Sequence, residues 1–257
     1  MLRPEALTKR YGRFTAVQPT DLHVRRGELF GFLGPNGAGK TTTIRMIAGV
    51  LRPTAGRVVI GGHDMERDPI GAKRKIGYIP DRPFVYEKLT GAEFLHFVSG
   101  LWGQDGAEAE ARADELLELF ELTRWRDTMV ESYSHGMRQK LLISSALVHR
   151  PELIVVDEPM VGLDPKAARL IKDLLRAFTA QGGTAFLSTH TLEVAEALCD
   201  RIAILADGRI QAIGTMDELR REAEAGAAGL EEVFLKLTGG DAVAELIASL
   251  RAAPEAV

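Results

Sequence analysis

Cysteine is almost absent from this chain: Cys199 is its single thiol, so no internal disulfide can form, and a packed, unreactive thiol on a helix is expected. Long apolar runs are missing too. No uncharged stretch approaches the ~18 to 20 residues needed to cross a bilayer, and Met1-Leu2-Arg3-Pro4-Glu5 lacks the apolar region of a signal peptide. Both absences lead to the expectation of a cytosolic protein. Positive charge is not in excess either, since the formal net charge is −4. That leaves no basic footprint for nucleic acid, and none is expected as a partner. Internal repeats and long low-complexity linkers are also lacking.

What the chain does have is apolar bulk, 46% over 257 residues, enough for one large domain or one domain with a sizeable insertion. In residues 1–33, Phe14, Val17, Leu22, Val24 and Leu29 are separated by Tyr-Gly, Gln-Pro and Arg-Gly punctuation, a pattern of short strands. Another strand is expected at Arg57 to Ile60. After Gly77-Tyr78-Ile79-Pro80 the character changes, and residues 91–150 read mostly as helix. Ala107 to Leu122 is the clearest case, with Ala113, Leu116, Leu117 and Phe120 on one face. Strand character returns at Leu153 to Val156, Thr184 to Ser188 and Ile202 to Leu205, each beside a helical pattern. This rhythm predicts an α/β fold with a largely parallel sheet and a helical insertion near residues 84–150. The last ~35 residues, rich in Ala and Glu, read as helix.

The densest chemical signal is Gly34-Pro35-Asn36-Gly37-Ala38-Gly39-Lys40-Thr41. It fits G-x-x-x-x-G-K-[ST], directly after the apolar run Leu29 to Leu33 and before a helical stretch, Thr42 to Ala48. Glycines let such a loop wrap so that several backbone N–H groups point at one phosphate, and the following helix adds its positive dipole end. Lys40 can reach the outer phosphates and the Thr41 hydroxyl can ligand Mg²⁺. The pattern therefore implies a nucleoside triphosphate site, against the plainer reading of a glycine-rich turn.

Leu153-Ile154-Val155-Val156-Asp157-Glu158 is an apolar run ending in two carboxylates, as expected where a buried parallel strand emerges beside such a loop. The acids can divide the work. Asp157 would hold Mg²⁺ with Thr41, and Glu158 would polarise a water for in-line attack on the γ-phosphate; the alternative is a solvated turn before Pro159. Ser134 precedes the helical stretch Arg138 to His149, so it reads as a plain cap or as one whose hydroxyl and neighbouring N–H groups could bind an anion. His190, after the strand ending at Thr189, is a cap or a phosphate contact. Tyr11 is an ordinary strand aromatic unless something flat stacks on it.

Together these segments resemble the ATP-binding-cassette ATPases, the nucleotide-binding subunits of ABC transporters, in the right order over nearly the whole chain. Gly34 to Thr41, with Thr42 beside it, resembles the Walker A motif, Leu153 to Glu158 the Walker B motif, Gly162-Leu163-Asp164 the D-loop, and His190 the switch histidine. Tyr11 is similar to the aromatic residue on which adenine stacks, and Ser134-His135-Gly136 falls where the family signature stands. The resemblance implies a P-loop NTPase (RecA-like) parallel-sheet core with an N-terminal antiparallel β subdomain and a helical insertion. Residues 1–83 and 151–215 would form the nucleotide-binding core, 84–150 the helical subdomain and 216–257 a C-terminal helical tail.

It also implies ATP and Mg²⁺ as ligands, with Lys40, Glu158 and His190 catalytic. Two copies would form a head-to-tail homodimer, Ser134 and Gly136 of one touching the γ-phosphate held by the other. That dimer would drive a separate membrane permease from the inner face of the cell membrane. Two places depart from the family pattern. Tyr133, His135 and Met137 replace the Leu, first Gly and Gln of the usual Leu-Ser-Gly-Gly-Gln. Asp81 stands where a Gln is usual; a carboxylate can coordinate Mg²⁺ but cannot donate hydrogen bonds, and a solvated turn residue is the other reading.

A narrower resemblance, to ATPases paired with ABC-2 type permeases, rests on Ile76 to Pro80, Tyr86-Glu87-Lys88-Leu89-Thr90 and Leu230-Glu231-Glu232-Val233-Phe234. It implies export, with Arg82 to Glu87 facing the permease. The alternative, a soluble superfamily member acting on DNA or ribosomes, would carry a coiled-coil insertion or a tandem cassette, and neither is in the sequence. A GTPase would need a guanine-selecting Asn-Lys-x-Asp or Thr-Lys-x-Asp segment; the one Thr-Lys pair, Thr8-Lys9, continues Arg10-Tyr11.

Overall fold

The computed structural model describes residues 1–82, 84–160, 164–224 and 229–238. The chain begins with β1 (Leu2–Tyr11), β2 (Phe14–Thr20) and β3 (Leu29–Leu33), then α1 (Lys40–Ile47), β4 (Ala55–Ile60), β5 (His63–Asp64), α2 (Pro69–Arg74) and β6 (Ile76–Ile79). A helical block follows: α3 (Gly91–Leu101), α4 (Gly106–Leu119) and α5 (His135–Leu147). Alternation then resumes with β7 (Leu153–Asp157), α6 (Pro165–Ala180), β8 (Thr184–Thr189), α7 (Leu192–Leu198), β9 (Arg201–Ala206) and β10 (Arg209–Gly214). Helices α8 (Met216–Glu222) and α9 (Leu230–Thr238) complete the described part. Residues 239–257 of the expected helical tail, and Gly162 and Leu163 of the D-loop segment, lie outside the described residues.

The strands form two sheets, ordered β2-β1-β4-β5 and β10-β9-β3-β8-β7-β6. The first is antiparallel, whereas β9, β3, β8, β7 and β6 run parallel and β10 closes the edge antiparallel. A strand covered on both faces carries apolar residues throughout rather than alternating them, and all five residues of β3 and of β7 are buried. Alternate residues of β7 serve different cores. Ile154 and Val156 pack with the helical block and α6, and Leu153 and Val155 pack with α1 and the antiparallel sheet. The helical insertion therefore shares one continuous core with one face of the parallel sheet.

The sequence patterns did not foresee β5, β10 or α2. These are short or edge elements, where solvent on one side weakens the apolar periodicity on which such a reading depends. Cys199 sits at the end of α7 with its Sγ 2.8 Å from where a Cβ on Gly31 would stand. Burial pushes this thiol up to about 12, so it is a packed, unreactive group.

One signature departure has a packing explanation. Tyr133 is buried against α3 and donates its hydroxyl to the Trp125 carbonyl at 2.7 Å. Its Oη lies 2.4 Å from the Cβ position of Gly91, the first residue of α3. Gly91→Ala is expected to destabilise the protein by about 1–3 kcal/mol through overpacking, and Tyr133→Phe by about 1 kcal/mol through the orphaned carbonyl. Deleting the hydroxyl also makes room for the methyl group, so the double variant should lose less than the sum. Urea denaturation of the four proteins measures this, and strict additivity would reject the contact.

Candidate functional site

Parallel order brings three sequence-distant segments together. Strand β8 lies between β3 and β7, so the loop after β3, the Asp157-Glu158 pair ending β7 and the Thr189-His190 step ending β8 emerge side by side at the carboxyl edge. Register ties Leu33 to Thr189 and Asp157 to Ser188. Crevices at such an edge are where open α/β sheets bind ligands. A cavity of about 700 Å³ opens here, its wall including Asn36, Gly37, Gly39, Lys40, Thr41 and Thr42.

The loop glycines are needed for two different reasons. Gly39 has a φ of +99°, and a Cβ on it would lie 2.6 Å from the Ala16 carbonyl; a Cβ on Gly34 would lie 2.7 Å from the Leu205 carbonyl. Gly37 also has positive φ, +85°, while Pro35 and Asn36 are exposed and Ala38 is buried. Lys40 opens α1 with its side chain only 6% exposed, and its Nζ donates to the Gly34 and Pro35 carbonyls at 2.7 and 3.2 Å. Burial lowers its pKa, while Glu158 and then Asp157 pull it back up. The loop is thus braced by its own lysine.

Asp157 is fully buried, and neither carboxyl oxygen has a hydrogen-bond partner. Burial raises its pKa. The Ser188 and Thr41 hydroxyls oppose that without closing a hydrogen bond of ordinary geometry, and the Asp81 charge adds to it. Two orphaned buried oxygens beside a hydroxyl and a second carboxylate fit a hard cation. Among the described residues no cluster of three His, Cys, Asp or Glu could hold a metal alone, so the remaining positions of such an ion fall to water or phosphate oxygens.

Glu158 holds a φ of +51°, a left-handed conformation that costs a non-glycine residue about 1–2 kcal/mol. Its N–H donates to the Ser188 carbonyl at 3.0 Å. The carboxylate is gripped from two sides, with His190 Nδ1 at 2.9 Å, the His190 backbone N–H at 3.3 Å and Lys40 Nζ at 4.0 Å. Strain here aims a carboxylate at the cavity.

Tyr11 stands half-exposed in the wall of the same cavity, with Lys9 Nζ 5.3 Å from its ring centroid. Phe14, 64% exposed, pairs with Tyr11 across the hairpin and lines the same wall. The Tyr-Gly-x-Phe spacing could have flagged that pairing, since Gly12 turns with a φ of +59°. Ala16, Arg82 and His135 also line the cavity and were not singled out as site residues from the sequence, because side-chain direction across turns is not set by local spacing. Asp81 lines it as well.

Ser134 and Gly136 are not in that wall. Ser134 caps α5 by accepting from the Met137 N–H at 3.3 Å and is exposed. A Cβ on Gly136 would meet nothing within 4 Å. Of the segment after Asp81, Arg82 turns to the cavity, while Phe84 and Tyr86 join Phe97 in an exposed aromatic patch, with Tyr86 and Phe97 centroids 5.3 Å apart. Asp164 caps α6 by accepting from the Ala167 N–H at 2.9 Å.

Residues 17–161 match the family described as ABC transporter. The chain is 40% identical over 219 residues to the linearmycin resistance ATP-binding protein of Bacillus subtilis (strain 168), covering 85% of this chain and 70% of that protein. It is likewise 40% identical over 241 residues to a daunorubicin resistance ATP-binding protein of Streptomyces coeruleorubidus, covering 90% and 76%. Among solved structures, the ATP-binding subunit of an ABC transporter superimposes with a TM-score of 0.87 at 36% identity, covering 92% of this chain and 99% of that one. A dimeric ATP-binding cassette in a post-hydrolysis state, bound to ADP and Pi, gives 0.77 at 27% identity, covering 84% and 99%.

Proposed function

The chain belongs to the ABC transporter family as an ATP-hydrolysing subunit, and from that premise we propose how its residues bind ATP, hydrolyse it and drive export through a separate membrane permease. The observation that carries this reading is the convergence of Lys40, Glu158 and His190 on one cavity that also holds the phosphate loop. Adenine stacks at the Tyr11 and Phe14 end, with the phosphates in the loop. On binding, Lys40 exchanges the carbonyls of Gly34 and Pro35 for outer phosphate oxygens, a stronger, charge-assisted contact. Glu158 accepts a proton from the attacking water, and His190 fixes the orientation of that carboxylate.

Thr41, Asp157 and Asp81 would hold Mg²⁺, which when bound neutralises phosphate charge. If Asp81 contributes, Asp81→Asn should shift the Mg²⁺ concentration giving half-maximal ATPase activity several-fold, to higher values, as one anionic ligand is lost. Superimposable Mg²⁺ titrations would leave Asp81 as a turn residue.

A second copy of the chain completes the site, and the uncovered start of α5 at Ser134 and Gly136 supports a head-to-tail arrangement. A dimeric cassette is among the solved relatives. Among the described residues no helix is long and apolar enough to cross a membrane. In this reading the permease is a separate chain that docks at the patch of Phe84, Tyr86 and Phe97, and the complex sits at the inner face of the membrane. Relatives are described as resistance and Nod factor export ATP-binding proteins, which favours export over action on DNA or ribosomes. Co-purification with the membrane protein encoded beside it, followed by ATPase assays, tests the assignment. Neither association nor stimulation would overturn it.

A further inference from the structure

Two segments flanking the helical block are stitched together ahead of α5. The Glu131 N–H donates to the Glu87 carbonyl at 3.0 Å, the Val130 N–H donates to the Leu89 carbonyl at 2.9 Å, and Lys88 pairs with the Glu131 carboxylate. Arg138 closes the seam. Its guanidinium forks, one Nη donating to Glu87 Oε1 at 2.7 Å and the other to the Glu131 carbonyl at 2.8 Å. The Nε is buried and the side chain only 29% exposed, so water screens this contact less than it screens the outlying Lys88 pair. Each end of the fork leads to a different surface. Glu87 directly follows Tyr86, whose ring meets Phe97 edge-on in the exposed aromatic patch, and the Leu89 N–H closes that turn on the Tyr86 carbonyl at 3.2 Å. Arg138 itself belongs to the first turn of α5. Its N–H donates to the Ser134 carbonyl at 3.0 Å, beside the Met137 N–H on Ser134 Oγ at 3.3 Å.

We propose that Arg138 is a positioning residue, tying the turn that carries Tyr86 to the first turn of α5, so that a partner seated on the aromatic patch shifts Ser134 and Gly136. One side chain spans the whole interval between them. A planar guanidinium suits the task, because it can hold a carboxylate and a carbonyl at once in a fixed relation, whereas an ammonium on a flexible stem fixes no such angle. Arginine and lysine are therefore not equivalent here. Neither residue of the pair touches the nucleotide cavity wall, so Arg138 acts through the α5 start and not on ATP. The consequence for transport rests on the docking reading above, while the tie between the two turns does not.

Amide hydrogen exchange on the full chain, followed by NMR, tests the tie without any partner. Wild type, Tyr86→Ala, Arg138→Gln, Arg138→Lys and the Tyr86→Ala/Arg138→Gln pair would be compared at the Met137 and Arg138 amides, with Ile143 and Ser144 in the middle of α5 as the control for global opening. Tyr86→Ala is expected to speed exchange at the two first-turn amides by about two- to fivefold, the scale of one partly exposed ion pair. Arg138→Gln should do the same, Arg138→Lys should do so by less, and the double variant should show no more than the larger single effect. An unchanged rate in Tyr86→Ala, additive effects in the pair, or equal changes at Ile143 and Ser144 would overturn the tie. In the assembled transporter, Arg138→Gln is expected to lower the ratio of permease-stimulated to basal turnover by about two- to fivefold and to leave the KM for ATP within about twofold. Equal losses of basal and stimulated turnover would reduce Arg138 to a structural part and overturn its positioning role. A wild-type transporter without stimulation would overturn the docking reading, while the exchange rates still decide the tie.

Discussion

Lys40→Ala is expected to lower ATP turnover of the assembled transporter by about two to three orders of magnitude, the scale on which a preorganised charge at a transferring phosphoryl group acts. The variant removes the buried cation proposed to touch the outer phosphates and leaves the backbone cradle of Gly34 to Thr41 in place. Fold should survive, because opposing effects nearly cancel. Burial already disfavours the charged lysine, while its loss orphans the Gly34 and Pro35 carbonyls and the near side of Glu158, each worth about 1 kcal/mol. Circular dichroism and a steady-state ATPase assay check the two halves. Wild-type turnover in this variant would sink the assignment of the loop.

Glu158→Gln is expected to keep nucleotide binding and to slow hydrolysis by about 10²- to 10⁴-fold, the usual contribution of a positioned general base. An amide preserves shape and the strained left-handed backbone, since φ of +51° is demanded of either residue. It cannot take the water's proton, and its contact with His190 Nδ1 loses the carboxylate charge. ATP-loaded dimers should therefore accumulate, visible as a shift in size-exclusion chromatography with ATP and Mg²⁺. Unchanged single-turnover hydrolysis would remove Glu158 from the role of base.

Much of this molecule is legible in the sequence, for reasons that differ from element to element. β3 and β7 could be read as buried parallel strands because five consecutive buried positions leave no polar alternation. Helix α4 could be read from Ala113, Leu116 and Leu117, one face at helical spacing. The edge strand β10 and the short α2 escaped because half-solvated elements carry weak periodicity. Arg82 and Phe14 escaped because turns, not repeats, set where their side chains point.

The chemistry of the phosphate loop, the carboxylate pair after an apolar strand and the α/β rhythm follow from the sequence alone, because each depends on residues close along the chain whose spacing fixes their relative positions. The strand order β3-β8-β7, with its assembly of Lys40, Glu158 and His190, was decided only in the tertiary structure. So were the bracing of Lys40 by its own loop, the inward packing of Tyr133 beneath Gly91 and the placing of Arg82 in the cavity wall. Pairings between distant strands and across subdomains depend on how whole faces of apolar side chains fit together, and no local period in the chain encodes that fit.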